Sequence, residues 1–493
     1  MKGKISILHI SDLHRSKGAE ISNTALLSSL LQDLDKYTIS ETPKIKAPDI
    51  IIVSGDIIRG SSKSDGSEIE VQKQYDEAIS FLNELTNRFL GGNKNRIIII
   101  PGNHDIDWKF SKESMEKIDS SKVLDGENIL KWEYLKEALN QNSITRWSWK
   151  DLSFYTIMDK GKYNQRLEAF AKFYEKFYDG KRKYSLNPEE QYDIFDFPEF
   201  ELTITAFNSC YNNDHLRFVG DIHPECIANV NMALRELHKK GRLVLSTWHH
   251  NTKGLPYDSN YMDNSRLKNL IESGVSMGFH GHQHKTELIS EFSDVIEQKK
   301  IVVFSAGTLC GGPNELPTGS NRQYNMIEIE SREDINNLMV TLHVREKTES
   351  STFDNPIWTQ GRIDSKNVSH YTLEIAKPKI SDFTAVFIEI EKLMSEKNFD
   401  NAKLELQKLD LQNEYVRKFL MECIIQTEDF ELAVKVFSDP RTEEEAIVVL
   451  NAVIQLGDKG QMKIIADNIR KSITTTTNSV VTEFLKKIEI IIR

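Results

Sequence analysis

The sequence has few cysteines and no long apolar run. Its four cysteines, Cys210, Cys226, Cys310 and Cys423, are scattered without a CxxC pair, so neither a disulfide framework nor a thiolate zinc site is indicated. No apolar run approaches the roughly 18 residues needed to cross a bilayer, and the N-terminal ISILHI is too short for a signal peptide. We therefore expect a soluble, cytoplasmic protein with no membrane partner.

An excess of positive charge is also absent. Lys and Arg number 63 against 74 Asp and Glu, and the formal net charge is -11. This balance disfavours a general affinity for nucleic acid or anionic membranes, although a local basic surface can exist in an acidic protein. With 493 residues, of which 39% are hydrophobic, the chain is long enough for a large core and for two domains.

Short β-branched runs alternate with helical patterns in the first part of the chain. Strands are predicted at 5–10, 49–53, 97–100, 202–207, 242–248, 276–280, 286–291, 301–306, 323–330 and 337–345, and helices at about 22–36 and 67–90. This alternation predicts an α/β core of parallel strands, whose ligands bind at the carboxyl ends of the strands. The last four strands are predicted to be antiparallel neighbours.

From about residue 381 only helical patterns remain. The segment 398–409, NFDNAKLELQKL, is echoed by 429–437, DFELAVKVF, with a shift of 430 - 399 = 31 residues between their phenylalanines. The echo resembles a helical-hairpin repeat of the tetratricopeptide kind, although an ordinary helical bundle fits as well. We predict an all-α C-terminal domain at 381–493 that binds a protein partner or self-associates, and a separate domain at 1–375.

Several predicted strands end in polar side chains that can bind metals. The residues concerned are Asp12 and His14 in DLH, Asp56 in SGD, Asn103, His104 and Asp105 in PGNHD, His249 and His250 in WHHN, and His280, His282 and His284 in HGHQH. DLH and GD alone are typical of polar turns, whereas the three polar side chains of PGNHD are harder to explain in that way and GHxH is the most specific fragment. However, seven of the 13 histidines fall in them, and scattered core histidines would not gather in this way.

The donor types in these fragments favour a pair of divalent ions. Imidazole nitrogens, carboxylate oxygens and one amide oxygen suit Mn, Fe or Zn, and no thiolate takes part. Successive strand side chains point to opposite faces, so Asp12 and His14 can share a side, and so can His282 and His284. By the same rule only one of the adjacent His249 and His250 is expected to be a ligand, while the other packs.

The motifs DxH, GD, GNHD, H and GHxH, in this order over residues 1–345, resemble the calcineurin-like metallophosphoesterase superfamily. The resemblance implies a four-layer α/β/β/α sandwich, in which two mixed sheets lie between helices. GDIIRG and GNHD differ from the GDxVDRG and GNHE of the protein serine/threonine phosphatases. We therefore expect the phosphodiesterase or nuclease branch, although Asn251 replaces the proline of the HHP motif that cyclic-nucleotide phosphodiesterases usually carry.

The resemblance also implies roles for particular residues. One ion would be held by Asp12, His14, Asp56 and His284, and the second by Asp56, Asn103, His249 and His282, with Asp56 bridging the two. Manganese is the expected metal, with iron and zinc as alternatives. We expect hydrolysis of phosphodiesters of nucleotides or nucleic acid, by in-line attack of a metal-bridging hydroxide.

Two further residues receive expected catalytic roles, and a third an expected substrate contact. His104 is expected to protonate the leaving alkoxide, while Asp105 orients its ring and raises its pKa. A metal ligand, or a donor that supports one, remains the alternative for His104. Arg59 is expected to contact a phosphate oxygen, although an ordinary surface arginine is as compatible with the sequence.

The long interval between Asn103 and His249 predicts a helical cap inserted at about 108–200. Residues 147–200 contain 15 aromatic side chains, which form either a platform for stacking bases or simply the core of the cap. Residues 160–183 hold eight basic and three acidic side chains, which indicates either a positive cap over the metal site or a solvated helix face. The segment 166–178 has the spacing of an amphipathic helix.

A different class of function is also compatible with the sequence. The chain would then be a scaffold or binding protein whose C-terminal helical domain recruits a protein partner, with the metal site secondary.

Overall fold

The computed structural model describes most of the chain, and it divides the chain into two compact units, residues 1–379 and 380–493. The described residues are 3–16, 19–60, 68–123, 131–139, 143–239, 241–253, 260–262, 264–294, 299–312, 315–331, 337–352, 354–363, 368–376, 390, 393–409, 411, 413–472 and 479–492. Within these ranges, no helix combines the length and the hydropathy that a bilayer span requires.

The first unit contains a seven-stranded mixed sheet. Its strands are β1 (Lys4–Ile10), β2 (Ile50–Val53), β3 (Ile97–Ile99), β13 (Gln323–Ser331), β14 (Asn337–Lys347), β15 (Trp358–Gln360) and β16 (His370–Ala376). Their order is β15-β14-β13-β1-β2-β3, and β16 also pairs with β14. β1, β2 and β3 are parallel, so their carboxyl ends lie at one edge of the sheet.

A six-stranded sheet and a small three-stranded sheet complete the β-structure described for this unit. The six-stranded sheet consists of β7 (Tyr192–Phe197), β8 (Leu202–Phe207), β9 (Leu243–Thr247), β10 (Met277–His280), β11 (Glu287–Asp294) and β12 (Lys299–Ser305). Its strand order is β11-β12-β10-β9-β8-β7. Its four central strands are parallel. The small sheet is antiparallel, with β6 (Ser153–Ile157) between β4 (Met115–Lys117) and β5 (Thr145–Ser148).

Helices cover these sheets and contribute to two hydrophobic cores. They are α1 (Asn23–Asp35), α2 (Glu68–Leu90), α3 (Trp108–Glu113), α4 (Ser120–Val123), α5 (Trp132–Leu139), α6 (Lys160–Asn164), α7 (Glu168–Phe177), α8 (Pro224–Lys239) and α9 (Asn264–Glu272). The larger core combines apolar side chains of both large sheets with those of α1, α2 and α7. A second core lies between the six-stranded sheet and helices α8 and α9. The four-layer order of sheets and helices stays a prediction.

The second unit is helical in all its described elements. Its helices are α10 (Phe399–Leu406), α11 (Glu414–Thr427), α12 (Phe430–Phe437), α13 (Glu443–Leu456), α14 (Lys459–Ser472) and α15 (Ser479–Ile492), and they share one apolar core. A buried ion pair between Arg417 and Glu445 links α11 to α13 at 2.7 Å. The predicted helical C-terminal region is therefore present, and its classification as a tetratricopeptide-like repeat stays a prediction.

The predicted strands are all present, with ends that differ by up to three residues. The expectation that the last four are mutual neighbours is wrong. β11 pairs with β12 and β13 with β14, but the two pairs belong to different sheets, since β13 lies beside β1. The apolar pattern identifies a strand but does not show which strand it pairs with. Closeness in the sequence alone therefore predicts that all four strands are antiparallel neighbours in one sheet.

The expectation of a helical cap at 108–200 also needs correction. This segment contains the three-stranded sheet besides short helices, and its last part belongs to the body of the unit: α7 packs against α2, and β7 is the edge strand beside β8. The strands of the small sheet are three to five residues long. Such lengths are too short for a periodic pattern to stand out from the surrounding turns.

Candidate metal centre

The loops that follow β1 and β2 continue the pairing of these strands beyond the sheet. The amide of Asp12 donates to the carbonyl of Gly55 at 3.1 Å, and the amide of His14 to the carbonyl of Asp56 at 3.0 Å. These contacts place the DLH and GD motifs side by side at the carboxyl edge of parallel strands, where ligands bind in α/β proteins. Asp12 and Asp56 are both completely buried there.

Five of the seven predicted metal ligands have a left-handed backbone. The φ angles are 51° for Asp12, 43° for His14, 50° for Asp56, 71° for His282 and 55° for His284. Non-glycine residues rarely adopt positive φ, and such strain persists where the surrounding structure requires a particular side-chain direction. Local propensity therefore does not determine these loop conformations; the packing around the side chains does.

Asp12, His14 and His284 form the first group of donor atoms. Asp12 Oδ1 lies 3.0 Å from His284 Nε2 and 3.9 Å from His14 Nε2, and the two Nε2 atoms are 3.4 Å apart. Asp12 Oδ1 is nevertheless buried without a hydrogen bond of acceptable geometry. A cation site requires metal-binding atoms that lie close together and do not already form hydrogen bonds with one another.

Asp56, Asn103, His249 and His282 form the second group. Asn103 Oδ1 lies 3.0 Å from His249 Nε2 and 2.9 Å from His282 Nδ1, and His249 Nε2 lies 3.4 Å from Asp56 Oδ1. Asp56 also neighbours the first group, because single ligand atoms of Asp12, Asp56 and His249 lie within 4.8 Å of one another. The carboxylate of Asp56 thus lies between the two groups.

Backbone carbonyls hold three imidazoles in one tautomer. Nδ1 of His249 lies 2.8 Å from the carbonyl of Ser54, Nδ1 of His284 2.8 Å from that of Glu315, and Nδ1 of His104 2.8 Å from that of Arg59. Because a carbonyl only accepts, each Nδ1 donates its proton. With Nδ1 engaged in this way, Nε2 is the nitrogen left for a metal, which is how metal-binding histidines are commonly oriented.

Two glycines in the motifs allow the loops to approach this closely. A Cβ at Gly102 would lie 2.1 Å from Asp56 Oδ1, and a Cβ at Gly281 would lie 1.8 Å from Ser11 Oγ and 2.6 Å from Asp12 Oδ2. No side chain fits at such distances. The glycines of GNHD and GHxH are therefore required by contact with the DLH and GD loops.

The buried carboxylates are held in the charged form. Burial alone would raise the pKa of Asp12, but the His284 imidazole beside it holds that pKa well below its usual range. Burial likewise opposes ionisation of Asp56, and the neighbouring His249 lowers its pKa. Conversely, burial lowers the pKa of His249 and His284 while the carboxylates raise it, with a net result of about 9 for each. Buried negative charge of this kind calls for a cationic partner.

His104 lies at the exposed edge of the centre, with its side chain 36% accessible and its Nε2 3.9 Å from Asp56 Oδ2. The predicted contact of Asp105 with its ring is wrong. The Asp105 carboxylate instead accepts hydrogen bonds from the amides of Gly102 at 2.8 Å and Ile57 at 3.1 Å, and from Tyr75 Oη at 3.0 Å. It thereby ties the GNHD loop to the GD loop.

The carbonyl of Arg59, rather than Asp105, orients the His104 ring. Burial and the charge of Asp56 raise the pKa of Asp105 to about 7. The side chain of Arg59 is exposed beside His104, and its contact with a phosphate oxygen stays a prediction. The role of a backbone carbonyl cannot be recognised from the residue type. The sequence therefore predicts that Asp105, the nearest acidic residue, orients the His104 ring.

Sequence reasoning missed Ser209, which follows β8. Its buried Oγ accepts from the amides of His249 at 3.0 Å and His250 at 3.2 Å, and it lies 2.9 Å from His250 Nδ1. The His250 ring packs against the His282 ring, with centroids 4.7 Å apart, while His249 Nε2 faces Asn103 and Asp56. A single serine 40 residues before its partners offers no signal in the sequence.

The basic and aromatic side chains of residues 147–200 are mostly used internally. Nine of the 15 aromatics are buried, which favours the plain core role over a stacking platform. Six of the eight basic residues at 160–183 are buried or paired: Arg166 stacks on Tyr163, and the ion pairs are Lys162–Glu113, Lys172–Glu168, Lys176–Asp76, Arg182–Asp193 and Lys183–Glu175. The expectation of a positive cap is therefore not supported by these contacts.

The donor set fits a pair of divalent cations. It combines carboxylate, imidazole and amide donors without a thiolate, and the buried Asp12 Oδ1 in the first group has no hydrogen-bond partner. Fold and donor set together define the protein as a metal-dependent phosphoesterase. The chain belongs to the calcineurin-like phosphoesterase family, whose sequence profile matches residues 5–286, more than half of its length.

Several solved structures resemble this fold at low sequence identity. A dimetal phosphatase from Danio rerio is 10% identical and aligns over 76% of this chain and 99% of its own, with a TM-score of 0.39. A single mutant of Vps29 from Entamoeba histolytica is 10% identical over 76% and 99%, with a TM-score of 0.24. The calcineurin-like phosphoesterase YfkN from Bacillus subtilis is 10% identical over 82% and 99%, also at 0.24.

A comparison with curated proteins gives no significant match. Membership of the family rests on the match of the sequence profile over residues 5–286.

Proposed function

We propose that the domain formed by residues 1–375 hydrolyses phosphodiesters of nucleotides or nucleic acid with two manganese ions. The observation that carries this proposal is the convergence of seven metal-binding side chains from five separated motifs, which follow strands of both large sheets: Asp12, His14, Asp56, Asn103, His249, His282 and His284. Asp12, His14 and His284 would hold one ion, Asn103, His249 and His282 the other, and Asp56 both.

Such a pair of ions supplies a water of lowered pKa and stabilises charge on a phosphoryl group. The side chains of this protein complete the site around it. The carbonyls of Ser54 and Glu315 keep His249 and His284 in the tautomer that presents Nε2, and Ser209 holds the backbone of His249. The mixed N and O donors, without a thiolate, are compatible with manganese and equally with iron or zinc, which are the alternatives for this site.

His104 is the proposed acid that protonates the leaving oxygen. Its Nδ1 donates to the carbonyl of Arg59, so a proton on Nε2 is directed towards the side of Asp56. Its exposure lets a substrate reach that atom. A positioned acid of this kind contributes about 10² to 10⁴ in rate. Asp105 then affects His104 only indirectly: it holds the GNHD loop against the GD loop and does not contact the His104 ring.

Preference for diesters is supported by the departures from the protein phosphatase motifs, at Ile57–Ile58 and at Asp105. The test compares bis-p-nitrophenyl phosphate with p-nitrophenyl phosphate in Mn, Mg and Zn. We expect the diester to be turned over faster, with Mn the most effective ion. A faster monoester in all three metals would overturn the diester assignment while leaving the metal dependence intact.

Variants at two residues separate metal binding from proton transfer. Asp56→Asn is expected to lose both manganese binding and hydrolysis, because it removes the charge that lies between the two donor groups. His104→Ala is expected to retain manganese binding and to lose at least about 100-fold in kcat. Hydrolysis at the wild-type rate by both variants would defeat the proposal.

The C-terminal unit is proposed to recruit a protein partner or a second copy of the chain. The motivation is the exposure of single large apolar side chains on four of its helices: Leu404 at 56%, Ile425 at 52%, Ile464 at 56% and Ile490 at 75%. The full-length double variant Ile464→Glu, Ile490→Glu is expected to lose the partner or the self-association. If it keeps every association of the wild type, the recruitment role fails.

A further inference from the structure

The loop between β8 and α8, residues 208–223, forms a wall beside the metal centre. Its Ser209 holds the backbone of His249, and its Gly220 touches the ring of His250 so closely that a Cβ there would lie 2.3 Å from His250 Cγ. The loop therefore runs along the histidines at both of these points.

Helix α3 connects this wall to the loop that carries His104. The helix starts at Trp108, three residues after Asp105, and Ser111 Oγ lies 2.9 Å from His215 Nδ1 on the wall. The rings of Trp108 and Phe218 also meet, with centroids 6.2 Å apart at 50°. This aromatic pair thus joins the 208–223 loop to the helix that directly follows the loop carrying His104.

The backbone that presents Phe218 is held firmly. The buried Asp214 accepts hydrogen bonds from the amides of Leu216 at 2.8 Å and Arg217 at 3.0 Å, and it pairs with the buried Arg146 at 2.7 Å. Phe218 is nevertheless 45% exposed. A large apolar ring that is exposed on a loop whose other residues contact His249 and His250 is suited to contact with a ligand.

We propose that Phe218, supported by Trp108, stacks on the base of the nucleotide whose phosphate lies at the metal centre. This inference rests on the proposed phosphodiesterase function and narrows its substrates to esters that carry a base. Aromatic rings bind any base through its π-face, so the platform contributes affinity with little preference among bases. The buried aromatics of residues 147–200 do not share this role, since they have no exposed face.

The test measures how much the base adds to binding. Thymidine 5′-monophosphate and 2-deoxyribose 5-phosphate differ only by the base, and each is titrated calorimetrically into the manganese-loaded full-length protein. We expect the wild type to bind the nucleotide about tenfold more tightly than the sugar phosphate, and Phe218→Ala to abolish this difference. The control Tyr371→Ala removes a ring that is 53% exposed elsewhere on the unit, and it should keep the difference.

The outcomes distinguish this inference from the proposed function. Equal affinity of the wild type for the two ligands, or an unchanged difference in Phe218→Ala, would overturn the stacking role even if diesters are hydrolysed. Conversely, a base preference that depends on Phe218, together with no hydrolysis of bis-p-nitrophenyl phosphate, would retain the platform and reject the phosphodiesterase.

Discussion

Replacement of Ser209 by alanine is expected to weaken manganese binding through the backbone of a ligand. The Ser209 oxygen accepts from two amides, so its own hydrogen is left for His250 Nδ1, and all its hydrogen-bonding capacity is used. The alanine variant leaves the buried amides of His249 and His250 without an acceptor. Each such group costs about 1–3 kcal/mol, so the free energy of unfolding should fall by about 2–6 kcal/mol.

The effect on the metal follows from the position of His249. Loss of a group that orients a ligand typically lowers metal affinity by about 10- to 100-fold. We would measure it by calorimetric titration of manganese into the metal-free protein, and the stability by urea-induced unfolding of the same sample. Ser246→Ala is the matched control: Ser246 is equally buried, on β9, and its Oγ contacts only the Thr205 hydroxyl among the described hydrogen bonds.

The control is expected to lose about 1 kcal/mol of stability and to keep its manganese affinity. The reasoning is refuted if Ser209→Ala binds manganese as tightly as the wild type. It is equally refuted if both variants lose the same affinity, because Ser209 would then matter only for general stability.

Three further predictions concern the glycine of GHxH, the bound metal and the C-terminal unit. Gly281→Ala should displace the GHxH loop from Ser11 and Asp12. The free energy of unfolding should fall by about 1–3 kcal/mol, and manganese binding should be lost. An unchanged melting temperature together with an unchanged manganese titration would disprove the close approach of the two loops. Chelation should stop hydrolysis and lower the melting temperature, and manganese at 100 times its Kd should restore about 2.7 kcal/mol of stability for each bound ion. A metal-independent melting curve would argue against a folded-state site. Glu445→Gln should destabilise the C-terminal unit by about 3–5 kcal/mol, because it leaves Arg417 buried without a counter-charge. A thermal melt followed by circular dichroism that matches the wild type would show that the ion pair contributes nothing to stability.

The same ion pair predicts how stability depends on pH. Burial opposes ionisation of Glu445, but Arg417 lowers its pKa below the usual value. A carboxyl whose pKa is lower in the folded state stabilises the fold fully above its unfolded pKa of about 4.5. That contribution is lost as the pH falls through the folded-state pKa, so acid should remove the advantage of the wild type over Glu445→Gln.

The parts of the fold that follow local rules could be predicted from the sequence. β1, β2 and β3 are short apolar runs that end in Gly, Pro or Asp, and the donors at their carboxyl ends converge because parallel strands share an edge. The order of the motifs added His249, His282 and His284, which follow strands of the six-stranded sheet, to the predicted ligands. These residues could be recognised because seven of the 13 histidines gather with carboxylates at strand ends, although a single Asp or His there is an ordinary turn residue.

The parts that depend on tertiary contacts could not be predicted. Strand partners, as for β12 and β13, are chosen by packing between distant segments, and the short strands of the small sheet carry no measurable period. The carbonyl of Arg59 and the hydroxyl of Ser209 act through atoms that give no distinctive residue pattern. Similarly, a count of basic residues at 160–183 could not reveal that most are paired within the fold.

The most direct test of the metal centre is anomalous diffraction at the manganese edge from crystals of the full-length protein soaked in manganese. The account predicts two strong peaks on either side of the Asp56 carboxylate, one in contact with Asp12 and His284 and the other with Asn103 and His249. A single peak elsewhere on the protein, or no peak near Asp56 at saturating manganese, would contradict it.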